Sequence, residues 1–250
     1  MNQPSLAFPE MTKSSLVLFD MAAFYLPLHG QSWKDFFTHA PILSMVEGMI
    51  YQVELSIEAA NNVATPQADP WPQTETRIKA FLIEHQLEHP AIFRYLAEVG
   101  DYFQTVQHLL STDEPSHAAI IRAAELRPAD IRLLHAILLQ RLGQAHDDIL
   151  FDILWPLESL LDLKANLTEY TDDVATGHYN TYQMFVTLYA EQAPQHIQLE
   201  QQKHQKNLQK KIAEASADTQ QRVQQFMIQH EINYPSVAIP TPIINSNTGC

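Results

Sequence analysis

The chain has 250 residues, 46% of them hydrophobic, and 29 acidic against 15 basic side chains give a net charge of −14. This balance disfavours nucleic acid or an anionic membrane surface as a partner, because both are bound by clustered Lys and Arg. The single cysteine, Cys250, excludes an intrachain disulfide and favours a reducing, cytoplasmic location. No run of eighteen apolar residues occurs, so no membrane span is expected.

Apolar residues recur at helical spacing along most of the chain, and no alternating run is long enough for a sheet. The pattern predicts an all-α fold with a loose arm at 1–10, one helical domain at 11–232 and a disordered tail at 233–250. The predicted helices are 11–25, 32–40, 41–61, 74–89, 90–111, two pieces of 115–142 broken at Pro128, 156–175, 180–189 and 195–230. Prolines and glycines mark most of the boundaries.

The helix after Trp155 carries two stripes. Its polar residues Asp162, Asn166, Glu169 and Asp173 follow one another at steps of four, three and four, which places them on one stripe roughly 60° wide. An apolar stripe runs beside it: Leu160, Leu163, Leu167, Tyr170 and Val174. Because Mg²⁺ takes carboxylate and carbonyl oxygens, an acidic stripe at the edge of a core is a candidate metal site.

The same helix carries a family resemblance. Residues 165–174, ANLTEYTDDV, followed by Gly177-His-Tyr-Asn180, resemble the second metal motif of class I isoprenoid (terpene) synthases in its bacterial form. That motif reads N-D-L-x-S-Y-x-x-E or D-D-L-x-D-Y-x-x-D and is usually followed by Gly and Asn. The matching residues are Leu167, Tyr170, Asp173, Gly177 and Asn180. Ala165 and Glu169 depart from the motif at ligand positions.

The resemblance, which covers about residues 127–189, implies the class I terpenoid synthase bundle. It also implies that a prenyl diphosphate is bound through Mg²⁺ and ionised inside an apolar cavity. By order along the chain, the first aspartate-rich motif of the family would lie on the 41–61 helix, where Glu54 and Glu58 are one turn apart and follow Glu47. The alternative is that these three acids form a solvated helix face. No catalytic residue is assigned.

Three arginines precede the polar stripe: Arg122, Arg127 and Arg132. The resemblance implies a diphosphate-sensing Arg in this region, so these residues and Tyr170 are the candidate diphosphate ligands. The alternative for each arginine is a surface charge or a salt bridge. Arg132 also stands close to Asp130 and His135 in sequence.

A further acidic group, Asp147, Asp148 and Asp152, looks like D-D-x-x-D, but its third acid is one place too late. Asp147 and Asp148 stand at a predicted helix start, where acids complement the helix dipole without a metal. We therefore expect a capping role for this group.

Two functions remain open. One is a Mg²⁺-dependent terpene synthase or prenyltransferase with altered ligands. The other is a catalytically inactive helical binding or regulatory protein derived from that fold. A small-molecule prenyl diphosphate is the expected partner in the first case, and a homodimer is left open in both.

Overall fold

A computed structural model describes residues 8–61, 69–112, 114–230 and 238–244. Within these residues the regular structure is helical throughout, which confirms the all-α class. The helices are α1 (Phe8–Tyr25), α2 (Trp33–Asn61), α3 (Trp71–Glu84), α4 (Pro90–Ser111), α5 (His117–Leu126), α6 (Ala129–Arg141), α7 (Asp148–Thr176), α8 (Thr181–Tyr189), α9 (Ala193–Glu214) and α10 (Ala217–Gln229). Single 3₁₀ turns lie at Pro27–His29 and Ala190–Gln192.

The backbone clusters into two compact units. The first contains residues 1–103, 129–148 and 221–232, and the second contains residues 104–128, 149–220 and 233–250. Helices α4, α7 and α10 each contribute residues to both units. The domain boundaries expected from the sequence stay a prediction.

In the first unit, α2 packs against α1, α3 and α6. Its buried face includes Leu43, Val46 and Met49, none of which is exposed. Helix α6 is buried almost all round, from Arg132 to Leu139, as expected of a helix enclosed by its neighbours.

In the second unit, α8 packs against α5 and α9. Helix α7 buries the predicted apolar stripe at Leu160, Leu163, Leu167 and Tyr170. The polar stripe lies at the edge of this buried face, with Asp162, Asn166 and Asp173 partly exposed and Glu169 exposed. The sequence therefore predicted the orientation of this helix correctly.

Two predicted helix breaks are wrong. Pro41 lies inside α2, and Pro156 lies buried inside α7, so each helix runs for 29 residues. A proline inside a helix costs about 3 kcal/mol through its missing N–H and the clash of its ring. Burial of a Leu, Val or Met side chain contributes about 1.5–3 kcal/mol, so the apolar residues that follow Pro41 and Pro156 offset that cost.

Two further boundaries differ from the prediction. The expected 195–230 helix is divided into α9 and α10, because Ala215 is extended and the Ser216 hydroxyl accepts a hydrogen bond from Thr219 N at 3.2 Å. Such a serine competes with helix continuation and starts a new helix. Helix α3 covers 71–84 rather than 74–89, since Asp69 accepts from Trp71 N at its start and Gln86, at φ 59°, follows its end.

Candidate functional site

The end of α7 and the start of α8 are joined by a hydrogen-bonded network, here called the α7–α8 junction: Asp162, Asn166, Asp173, Asn180 and Thr181. Its centre is Asn180, which is fully buried and is the N-cap of α8. Asn180 Oδ1 accepts from Gln183 N at 3.1 Å, and Asn180 Nδ2 donates to Asn166 O and to Asp173 Oδ2, both at 2.8 Å. The side chain thus satisfies one otherwise free N–H of α8 and anchors α8 to α7.

Asn166 is equally engaged. Its Oδ1 accepts from Thr181 N at 2.7 Å, while its Nδ2 donates to Asp162 O at 2.9 Å and to Asp162 Oδ2 at 3.2 Å. Asn166 and Asn180 therefore provide the two side-chain oxygens that receive backbone N–H groups at the start of α8. Such local bonds are the usual role of Asn and Asp at helix starts.

Gly177 produces the turn that makes these contacts reachable. Its φ of 75° is a left-handed conformation that glycine adopts without a Cβ penalty. In the same turn His178 N donates to Asp173 O at 3.0 Å, and the His178 ring lies 3.9 Å from Asp173 Oδ1. Gly177 and Asn180, which complete the family motif, are thus residues that shape the α7–α8 connection.

The fourth residue of the polar stripe and the first ligand position of the motif are both exposed to solvent. Glu169 is exposed, and so is Ala165, which stands at the first ligand position of the motif and carries no oxygen donor. In the part of the chain that the structure describes, no group of three or more His, Cys, Asp or Glu side chains is arranged to hold a metal ion.

Tyr170, a candidate diphosphate ligand, is fully buried and contacts the C-terminal segment. Its hydroxyl accepts a hydrogen bond from Ile243 N at 2.7 Å, and its ring packs edge-on against Tyr182 with centroids 4.8 Å apart. The Tyr182 hydroxyl donates to Pro240 O at 2.8 Å. Residues 238–244 belong to the stretch for which the sequence predicts disorder, yet two of their backbone groups have these partners.

The charges of Arg127 and Asp162 both affect the pKa of Tyr179. Burial raises the pKa of the Tyr179 phenol, Asp162 raises it further, and Arg127 lowers it. The charges of Arg127, which follows the last residue of α5, and of Asp162 thus act on the same phenol in opposite directions. Arg122, one turn earlier in α5, is exposed.

The other candidate residues lie in the first unit. Arg132 is buried and its guanidinium is 3.2 Å from Glu98 Oε2, so it ties α6 to α4, the salt-bridge role that the sequence offered as its alternative. Glu54 is partly buried, and the Glu58 side chain lies outside the described residues. Glu47 is buried, which overturns the solvated-face interpretation at that position.

The acids around the start of α7 are ion-paired. Asp148 is the first residue of α7, as expected of a capping acid, and lies 3.3 Å from Arg94. Asp147 lies 3.1 Å from Arg222, and Asp152 pairs with Lys211.

A histidine pair in the first unit was not predicted from the sequence. His29 Nε2 lies 2.6 Å from Nε2 of His135, which is fully buried and stacks on Tyr25 with centroids 4.0 Å apart. Burial lowers the pKa of His29 to about 4, and burial also lowers that of His135. The two residues are 106 positions apart, so no local motif could have joined them.

The predicted site residues thus divide between the two units. Asp162, Asn166, Glu169, Asp173, Tyr170, Arg122 and Arg127 belong to the second unit, and Glu54, Glu58 and Arg132 belong to the first. Comparison of the chain with protein-family models, curated proteins and solved structures gives no match. Among the described helices, none combines the length and the apolar character that crossing a membrane requires. The isoprenoid synthase resemblance, the Mg²⁺ site and the homodimer stay predictions.

Proposed function

We propose that this protein is a catalytically inactive helical binding protein derived from the class I isoprenoid synthase fold. The observation that supports it is the α7–α8 junction. Asp162, Asn166 and Asp173, three of the four polar residues of the metal-motif helix, are hydrogen-bond partners of Asn180, Thr181 or one another. On this proposal, the polar residues of the motif are retained because their hydrogen bonds hold α8 on α7.

A Mg²⁺ site on this stripe competes with that structural role. Mg²⁺ demands near-octahedral oxygen ligands at about 2.0–2.1 Å. Asn166 Oδ1 accepts from Thr181 N, so turning it towards a cation leaves that N–H of α8 without this acceptor, and an unsatisfied buried N–H costs about 1–3 kcal/mol. Ala165 offers no oxygen in compensation.

Loss of a ligand also weakens the chemistry. Ionisation of an allylic diphosphate puts negative charge on the leaving group, and fixed positive charge lowers that barrier. Removal of one group that stabilises developing charge costs about a hundredfold to a thousandfold in rate. The alanine at the first ligand position is therefore expected to reduce turnover below a useful rate.

The second candidate is a Mg²⁺-dependent enzyme that acts on a prenyl diphosphate. One feature favours it: the charges of Arg127 and Asp162 both act on the Tyr179 phenol, Arg127 lowering its pKa and Asp162 raising it. A diphosphate held by a metal and an arginine needs this combination of charges.

Calorimetry with an unreactive prenyl diphosphate analogue separates the two candidates. The wild type, Asp173→Ala and the matched control Asp172→Ala are titrated in Mg²⁺ and in EDTA. Asp172 is the exposed neighbour of Asp173 on the same helix. The binding-protein proposal expects no Mg²⁺-dependent heat from any of the three. Binding that needs Mg²⁺, is kept by Asp172→Ala and is lost in Asp173→Ala would contradict the binding-protein proposal and favour the Mg²⁺-dependent enzyme.

A further inference from the structure

The C-terminal segment 238–244 is held by a pair of tyrosines on α7 and α8. Tyr182 donates its hydroxyl proton to Pro240 O, and Tyr170 accepts the amide proton of Ile243. Both tyrosine side chains are fully buried, and their rings pack against each other. Two backbone groups of the segment, one acceptor and one donor, are therefore bound by hydroxyls fixed in the core of the second unit.

The exposure of the segment repeats every three residues. Ala238, Thr241 and Ile244 are exposed, and the two residues between each pair are partly buried. A polyproline II helix has three residues per turn, so one of its three edges faces solvent when the other two lie against a surface. The sequence favours this conformation, because Pro240 and Pro242 have a fixed φ and each disfavours the α conformation in the residue before it.

The two hydroxyls match what such a helix offers. Polyproline II has no internal hydrogen bonds, so its carbonyl and amide groups are free for a receptor. Pro240 and Ile243 are three residues apart, which is one turn and about 9 Å along the axis. Aromatic side chains that pack on prolines are a recurring way to recognise extended proline-containing peptides. The segment carries no charged residue, so apolar contacts and these two bonds define its recognition.

We propose that Tyr170 and Tyr182 form a recognition site for an extended peptide of the type Ile-Pro-x-Pro-Ile, and that its resident ligand is residues 239–243 of the same chain. This inference does not rest on the proposed function, since the tyrosine contacts involve neither a metal nor a diphosphate. A ligand tethered to its receptor competes at a high effective concentration, on the order of millimolar. An outside peptide of the same class is therefore bound well only after the tail contact is weakened.

Hydrogen exchange in the full-length chain tests the resident ligand. The Ile243 amide should be protected in the wild type, and Tyr170→Phe, which removes only the accepting hydroxyl, should raise its exchange at least tenfold. Thr187→Val is the control, because Thr187 is exposed on α8 and its hydroxyl donates to Gln183 O within the same helix. An Ile243 amide that exchanges at the rate of a free peptide in the wild type would overturn the proposal. If protection of the Ile243 amide rises with protein concentration and dimers form, the tail of a second copy occupies the site. That result would overturn the proposal that the ligand is the chain's own tail.

A peptide titration tests the receptor. A fluorescent peptide with the sequence of residues 237–245 is added to the full-length chain with Pro240→Gly and Pro242→Gly, which leaves both tyrosines in place. We expect at least tenfold tighter binding than to the wild type, and at least a tenfold loss when Tyr170→Phe and Tyr182→Phe are added. A peptide with Thr241→Ala should bind equally, since this side chain is exposed, and one with both prolines replaced by Gly should not bind. Two results would contradict the proposal that the tyrosines bind the peptide. One is equal binding to the wild type and to the variant with Pro240→Gly and Pro242→Gly, and the other is binding that the tyrosine substitutions do not change.

Discussion

Asn180 Nδ2 lies 2.8 Å from Asp173 Oδ2, and this bond connects the last acid of the α7 polar stripe to the cap of α8. Asn180 is buried and bonds in addition to Asn166 O and to Gln183 N. The four-three-four spacing indicates a metal site. It also places Asn166 and Asp173 where they accept hydrogen bonds from the buried side-chain amide of Asn180. The same residues can be required for the fold without being required for chemistry.

Replacement of Asn180 by Ala should lower the free energy of unfolding by about 2–3 kcal/mol. Loss of an N-cap costs about 1 kcal/mol, and the unpaired partners left behind add a desolvation penalty. Urea unfolding measures the change. Gln202→Ala, at an exposed position of α9, is the control and should stay within about 0.5 kcal/mol of the wild type. Equal stability of the two variants would show that the junction does not hold α8.

Asp173→Asn should destabilise the protein by about 1–2 kcal/mol, and Asp172→Asn should leave it nearly unchanged. The Asp173 carboxylate accepts a charge-assisted bond from a buried amide, whereas Asp172 is exposed. Thermal unfolding with and without millimolar Mg²⁺ adds a second readout. We expect the wild type to have the same Tm with and without Mg²⁺. A Tm that Mg²⁺ raises in the wild type but not in Asp173→Asn would indicate a metal at this carboxylate.

The sequence predicted the class of fold and the two faces of α7, because helical periodicity is a local signal. It did not predict that Pro41 and Pro156 lie inside helices, since burial by distant elements offsets the local penalty. The Asn180 cap could have been found, because an Asn before an apolar run is a helix-start signal. The bonds from Asn180 to Asn166, and from residues 240 and 243 to the two tyrosines, span 14 to 73 positions and leave no local trace.

The His29–His135 pair should make stability depend on pH in weak acid. Burial first, and then Arg222, lowers the pKa of His29 from 6.5 to about 4, with Asp147 opposing, so the folded state binds this proton less readily than the unfolded chain. The stabilisation is present above pH 6.5 and is lost as the pH falls from 6.5 through 4. Its size is on the order of 2 kcal/mol, allowing for partial exposure.

Urea unfolding between pH 7 and pH 4 of His29→Gln tests this dependence. The variant should lose less stability on acidification than the wild type. His108→Gln, at an exposed position of α4, should follow the wild-type curve. Identical pH profiles for His29→Gln and the wild type would exclude His29 as the source.

Gly100→Ala should destabilise the first unit by about 1–2 kcal/mol despite the higher helix propensity of alanine. A Cβ at Gly100 on α4 would overlap Nε1 of Trp71, which is buried at the start of α3. Overpacking of this kind costs about 1–3 kcal/mol, and the propensity gain returns about 1 kcal/mol at most. Guanidinium unfolding gives the difference, and a more stable variant would show that α3 does not pack on α4 at this point.

Release of diphosphate from prenyl substrates distinguishes a catalytically inactive protein from a prenyl diphosphate enzyme. The purified full-length chain is incubated with geranyl, farnesyl or geranylgeranyl diphosphate in Mg²⁺, and inorganic diphosphate is quantified against a no-protein blank. If the polar residues of the α7–α8 junction serve the structure and not a metal, we expect no release above the blank for the wild type. Mg²⁺-dependent release by the wild type that is lost in Asp173→Ala and kept in Asp172→Ala would contradict it.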